Sequence, residues 1–155
     1  MLATHESGLD LEWHNELCAD FPYHYQGKEC RLSPDAIFWL DGPTVPLTVA
    51  FLEVDRTTES LKQWGRKLDD YALYARSQAI RAQWGRCPPR VLLLVTTLSP
   101  VRAETLRRYT AENWRDSVAG RQFRVGFALH AAVRPEQVLA LPWQGLDGST
   151  YRLVE

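Results

Sequence analysis

The chain has 155 residues and a mass of 17.8 kDa, the size of one domain, with interior enough for a core that needs no disulfide or metal staple. Its 45% apolar and 24% charged residues are those of an ordinary soluble globular protein. No run approaches the roughly 18 apolar residues of a membrane span, and the polar start MLATHESGLD carries no secretory signal, so a single domain over 1–155 and a cytoplasmic location are expected.

The net charge of −1 hides an uneven distribution. Residues 1–55 hold ten Asp or Glu against two basic residues, whereas residues 56–155 hold sixteen basic against nine acidic. Folding either sets an acidic, cation-attracting pocket beside an Arg-rich surface or lets the two halves neutralise one another. Cys18, Cys30 and Cys87 are odd in number and irregularly spaced, as reduced thiols are. His14, Cys18, His24 and Cys30 match no finger or ribbon spacing and read as ordinary residues rather than zinc ligands.

In chain order, LEWHNEL (11–17) alternates like a strand, and CADFPYHYQGKECRLSP reads as the loop after it. DAIFWL (35–40) is a second strand, and a turn at DGP leads to a third, LTVAFLEV (47–54), as an antiparallel hairpin. Leu61, Trp64, Leu68, Tyr71 and Ala75 recur at helical steps, predicting a helix from Glu59 to about Ala79, continuing as far as Trp84, with Thr57 or Thr58 as N-cap. RVLLLVTTL (90–98) is a strand buried on both faces, and Ser99 caps a helix with Pro100 in its first turn. RQFRVGFALHA (121–131) is a last strand, followed by a short helical turn and an irregular tail. This order predicts a mixed α/β fold, a central β-sheet flanked by helices.

The third strand ends in two carboxylates set two apart. Glu53 and Asp55 therefore project from the same face. Asp35, at the start of the hairpin partner, comes beside them, so three like charges converge. A hard divalent ion, Mg²⁺ or Mn²⁺, resolves that repulsion and is what oxygen-only ligands select. Lysine is scarce, and Lys62 and Lys67 both lie on the following helix. Lys67, beside the buried stripe, is placed either to orient water or offset phosphate charge, or to snorkel toward Asp70 and solvent.

Pro34-Asp35, Glu53-x-Asp55 at a strand end, and a helix bearing Lys67 and Tyr71 resemble the PD-(D/E)xK nuclease superfamily. More narrowly, the stretch from about 31 to 98 resembles the replication-relaxation proteins of plasmids and other mobile elements. The resemblance implies a restriction-endonuclease-like core with a shortened N-terminal helix. It implies Mg²⁺ or Mn²⁺ held by Asp35, Glu53 and Asp55, and DNA as the substrate. In the usual pattern a lysine stands two residues after the Glu; Asp55 occupies that place, so Lys67, or else Lys62, takes the role from the helix. The resemblance also implies a DNA-binding region and first helix supplied by a partner subunit or a further copy. Arg56 and Arg66 are the expected contacts to the nucleic-acid backbone.

Two other classes stand beside this one. A catalytically inactive subunit for DNA binding or assembly would use Glu53 and Asp55 to cap the helix and pair with Arg56 or Arg66. A homo-oligomeric module is suggested by six Trp, among them Trp84 and Trp143, although aromatic residues more often fill a core. His130 reads as a structural histidine rather than a base. No phosphate loop, nucleophile elbow, zinc-protease helix or dinucleotide fingerprint is present.

Overall fold

The computed structural model describes residues 9–15, 20–43, 45–84, 90–129 and 135–154. The chain opens with β1 (Asp10–Asn15), β2 (Phe21–Tyr25), β3 (Lys28–Leu32), β4 (Ala36–Asp41) and β5 (Thr48–Asp55). Helices α1 (Leu61–Ser77) and α2 (Ala79–Trp84) lead to β6 (Arg90–Thr97), α3 (Pro100–Trp114), α4 (Val118–Gln122) and β7 (Arg124–Leu129). The chain then forms α5 (Pro135–Val138) and the two-residue strands β8 (Trp143–Gln144) and β9 (Thr150–Tyr151).

Seven strands make one mixed sheet in the order β1-β4-β5-β6-β7-β8-β9, the α/β class expected from the alternation of elements. β4 and β5 pair antiparallel, with Ala36 opposite Leu52 and Leu40 opposite Thr48. β6 and β7 join parallel, and each parallel step crosses over through a helix, as parallel neighbours require. The period of two decides which residues meet the helices. Val49 and Phe51 of β5 pack with Trp64, Leu68 and Tyr71 of α1 and Leu106 of α3, whereas Ala50 and Leu52 face a second cluster with Phe38, Leu94 and Trp143. Both faces of β5 and β6 are covered, which accounts for their unbroken apolar runs.

Several boundaries differ from expectation, each for a local reason. The segment expected as a loop contains the β2-β3 hairpin, whose two-residue turn, Gln26 (φ 49°) and Gly27 (φ 77°), has the left-handed backbone that matches strand twist. Pro22 is tolerated because β2 has a neighbour on one side only. Ser60, not Thr57 or Thr58, caps α1: its hydroxyl accepts from Gln63 N at 3.2 Å while Gln63 Oε1 accepts from Ser60 N at 2.7 Å. Thr57 instead turns the connection with φ 63°. The long helix breaks at Gln78 (φ 58°), which divides α1 from α2. Arg121 and Gln122 belong to α4 rather than to the last strand, and the expected irregular tail extends the sheet as β8 and β9.

Trp143 is fully buried, with its indole N–H donating to Val138 O at 3.1 Å, so it fills the core. Cys18, Cys87, His130 and the Trp84 side chain lie outside the described residues. His14 sits within 3.1 Å of Glu12 and stacks on Trp39. Among the described residues, no helix is long and apolar enough to cross a membrane.

Candidate functional site

The same alternation that turns Phe51 toward the helices puts Glu53 and Asp55 there too, at 3% and 4% exposure. Continuing the register one step past Ala36 and Leu52 sets Asp35 opposite Glu53. Asp35 Oδ2 accepts a hydrogen bond from Val54 N at 2.7 Å, fixing the carboxylate against the end of β5. Its other oxygen has no protein hydrogen bond among the described residues.

α1 meets this strand end with two side chains one turn apart. Lys67 Nζ donates to Glu53 Oε2 at 2.8 Å, and the buried Tyr71 hydroxyl donates to Glu53 Oε1 at 2.7 Å. Tyr71 is held edge-on by Phe51 and Phe123, ring centroids 5.8 and 5.7 Å away. Lys67 also pairs with Glu59 Oε1 at 3.0 Å, in the turn before the helix. Burial pushes the Glu53 carboxyl up to about 7; the Lys67 ammonium and Tyr71 hydroxyl pull against that shift, and Asp35 adds to it. Burial alone would lower the Lys67 pKa, but Glu53 and Glu59 outweigh it and keep the ammonium charged. Burial, and then the adjacent Glu53, raise the Tyr71 phenol well above its ordinary value.

Asp55 is held differently. Arg102, in the first turn of α3, grips both of its oxygens, Nε to Oδ2 at 3.1 Å and Nη2 to Oδ1 at 3.0 Å. The same Nη2 donates to Glu59 O at 2.7 Å. One guanidinium thus ties the end of β5 and the entry to α1 onto α3.

Of the residues singled out from sequence, Asp35, Glu53 and Lys67 come together. Asp55 shares their sheet face but is bound to Arg102. Lys62 is exposed and lines a cleft with Arg66 on the α3-facing flank of α1, away from Glu53, so the lysine of the site is Lys67. Arg56 is exposed in the β5-α1 connection, and neither it nor Arg66 pairs with Glu53 or Asp55. Sequence reasoning missed Arg102 and Glu59. The only available signal for Arg102 was topological: the first turn of a crossover helix lies at the carboxyl end of the parallel strands, where Asp55 ends β5.

Among the described residues, no group of three or more His, Cys, Asp or Glu is placed to hold a metal ion. Mg²⁺, however, is commonly bound by one or two carboxylates with water and substrate phosphate completing its shell. Asp35 with its free oxygen and Glu53 beside it, buried and incompletely balanced by one ammonium, suit that use. Asp55, gripped through both oxygens by the one guanidinium that balances its charge, does not.

A family model described as replication-relaxation matches residues 3–88. The chain belongs to the replication-relaxation family. This connects it with replication of plasmids and other mobile elements. The match takes in Asp35, Glu53, Asp55, Lys67 and Tyr71, while Arg102 lies beyond it. No curated protein and no solved structure matches the chain.

Proposed function

We propose that this replication-relaxation protein is a metal-dependent nuclease of PD-(D/E)xK type that cleaves DNA phosphodiester bonds of a plasmid or other mobile element. The observation that carries the reading is the meeting of Asp35, Glu53 and Lys67 at one strand end, with the ammonium 2.8 Å from the Glu53 carboxylate. Asp35 and Glu53 are the proposed ligands of Mg²⁺ or Mn²⁺, an ion that lowers the pKa of bound water and offsets phosphate charge when bound. Lys67 orients the water or the scissile phosphate, and Tyr71 holds Glu53 in place from the buried side. Asp55 acts through Arg102 as a brace. Arg56 and Arg66 contact the DNA backbone without reading its sequence.

The test is nicking of supercoiled plasmid by the purified protein. Activity should require Mg²⁺ or Mn²⁺, stop on chelation and vanish in Glu53→Ala and Lys67→Ala.

A second reading, a non-catalytic DNA-binding or assembly subunit, is favoured by one observation: protein donors already engage both oxygens of Glu53 and of Asp55. It predicts no Mg²⁺-dependent rise in melting temperature and no nicking that depends on Glu53. Mg²⁺-dependent nicking that is lost in Glu53→Ala decides for the nuclease.

A further inference from the structure

Two cations beside the carboxylates are engaged, Lys67 by Glu53 and Glu59 and Arg102 by Asp55. The opposite flank of α1 is another matter. Lys62, Arg66 and Arg76 line a cleft of about 360 Å³ between α1, α3 and α4, and all three are exposed. None has an ion-pair partner among the described residues. The cleft contains one carboxylate, Asp69, against these three cations.

Its floor is set by close helix packing. A Cβ at position 65 would lie 2.7 Å from the Tyr109 hydroxyl oxygen, so Gly65 leaves room for the Tyr109 side chain of α3 to lie against α1. Besides Asp69 and apolar residues such as Leu68 and Ala72, the groove is lined by flexible cations and by neutral hydrogen-bonding groups such as Asn113 and Ser117. Uncompensated positive charge in a groove, on side chains long enough to follow an irregular chain of anions, is complementary to a phosphodiester backbone. Lys62 and Arg66 stand one helical turn apart, about 6 Å along the axis, and so present successive charges along the groove.

We infer that this groove between α1 and α3 is a non-catalytic anchor for the phosphate backbone of DNA. It lies across α1 from the carboxylates, about one helix diameter or 10 Å away. The inference rests on the DNA reading above and extends it: one stretch of the substrate is held by Lys62, Arg66 and Arg76 while another meets Asp35 and Glu53.

Fluorescence anisotropy with a labelled duplex oligonucleotide in chelator, over a range of NaCl concentrations, tests it. Each phosphate contact contributes about 0.9 to the slope of log affinity against log salt. Changing Lys62, Arg66 and Arg76 together to Gln should lower that slope by about 2 to 3 and weaken binding at least about tenfold at low salt. A matched variant, Arg81→Gln with Arg121→Gln and Arg152→Gln, removes three exposed charges outside the groove and should leave the slope near wild type.

An unchanged slope in the groove variant overturns the inference, and so does an equal loss in the matched variant. If the triple variant does not fold, Lys62→Gln and Arg66→Gln singly decide, each lowering the slope by about 1. Inorganic phosphate is the second probe. A groove-dependent rise in melting temperature with phosphate, without any groove-dependent effect on the oligonucleotide, assigns the cleft to a small phosphorylated ligand and rejects the backbone. Glu53-dependent nicking with an unchanged slope sinks the groove and spares the nuclease. A lowered slope without nicking does the reverse.

Discussion

Glu53 is a carboxyl group that water scarcely reaches, held by an ammonium and a phenol. Because burial raises its pKa from about 4.5 to about 7, the folded chain keeps a proton through that interval that the unfolded chain has released. Its contribution to stability is therefore complete below the unfolded value and is lost as pH rises through the folded one. Glu53→Gln removes this dependence. In chelator, the melting temperature of the Gln variant relative to wild type should rise from about pH 5 to about pH 8, corresponding to up to about 3 kcal/mol. A constant difference across that range would show that the carboxyl is not perturbed. The approach of Lys67 to the strand end that carries Glu53 was legible as one of two alternatives, because helix period sets it at the edge of the buried stripe; its direct ion pair with Glu53 was not. The identity of the partner to Asp55 was not: the residue two places along the same strand face answers to a helix that begins 45 positions later in the chain.

Elements are joined here by a few polar contacts at their ends. Removing Arg102 leaves Asp55 charged and buried, so Arg102→Ala should cost about 3–5 kcal/mol in urea denaturation. Arg102→Lys should recover only part of this, because an ammonium cannot grip both carboxylate oxygens and Glu59 O with the same planar fork. Ser60→Ala breaks the capping box and should cost about 1 kcal/mol by the same measurement. The existence of β4, β5, α1, β6 and α3 was readable: α1 from its helical stripe, the strands from short apolar runs bounded by turn residues, and α3 from Ser99 and Pro100 at its start. The β2-β3 hairpin was obscured by Pro22 and by a Gln-Gly turn in place of the commoner Asn-Gly, although Gly27 between two alternating runs was the available cue. Thr57, Thr58 and Ser60 are all competent cap residues, and what decides among them is the Ser60-x-x-Gln63 spacing of a capping box, the available cue in the sequence.

Across the whole molecule, the ion pairs that join the acidic and the basic half among the described residues have buried carboxylates. Lys67 with Glu53 and Arg102 with Asp55 each join a cation of the second half to a carboxylate of the first. Raising NaCl from about 0.1 M to about 1 M shortens the screening length from about 10 to about 3 Å, which hardly reaches pairs this close and this buried. The melting temperature should accordingly change little over that range, whereas DNA affinity should fall steeply. A melting temperature that drops in parallel with affinity would mean that exposed charge, and not these buried pairs, joins the halves.

Arg102 has a bearing on where the protein can be cut. The family match ends at residue 88, before β6, the strand that pairs with β5 along its full length, and before the guanidinium that neutralises Asp55. A fragment ending there would retain every carboxylate of the site, expose the edge of β5 and leave Asp55 without the cation that meets it. The boundary of family resemblance is thus not a boundary of folding: the matched segment depends for its shape on a residue that the match does not contain.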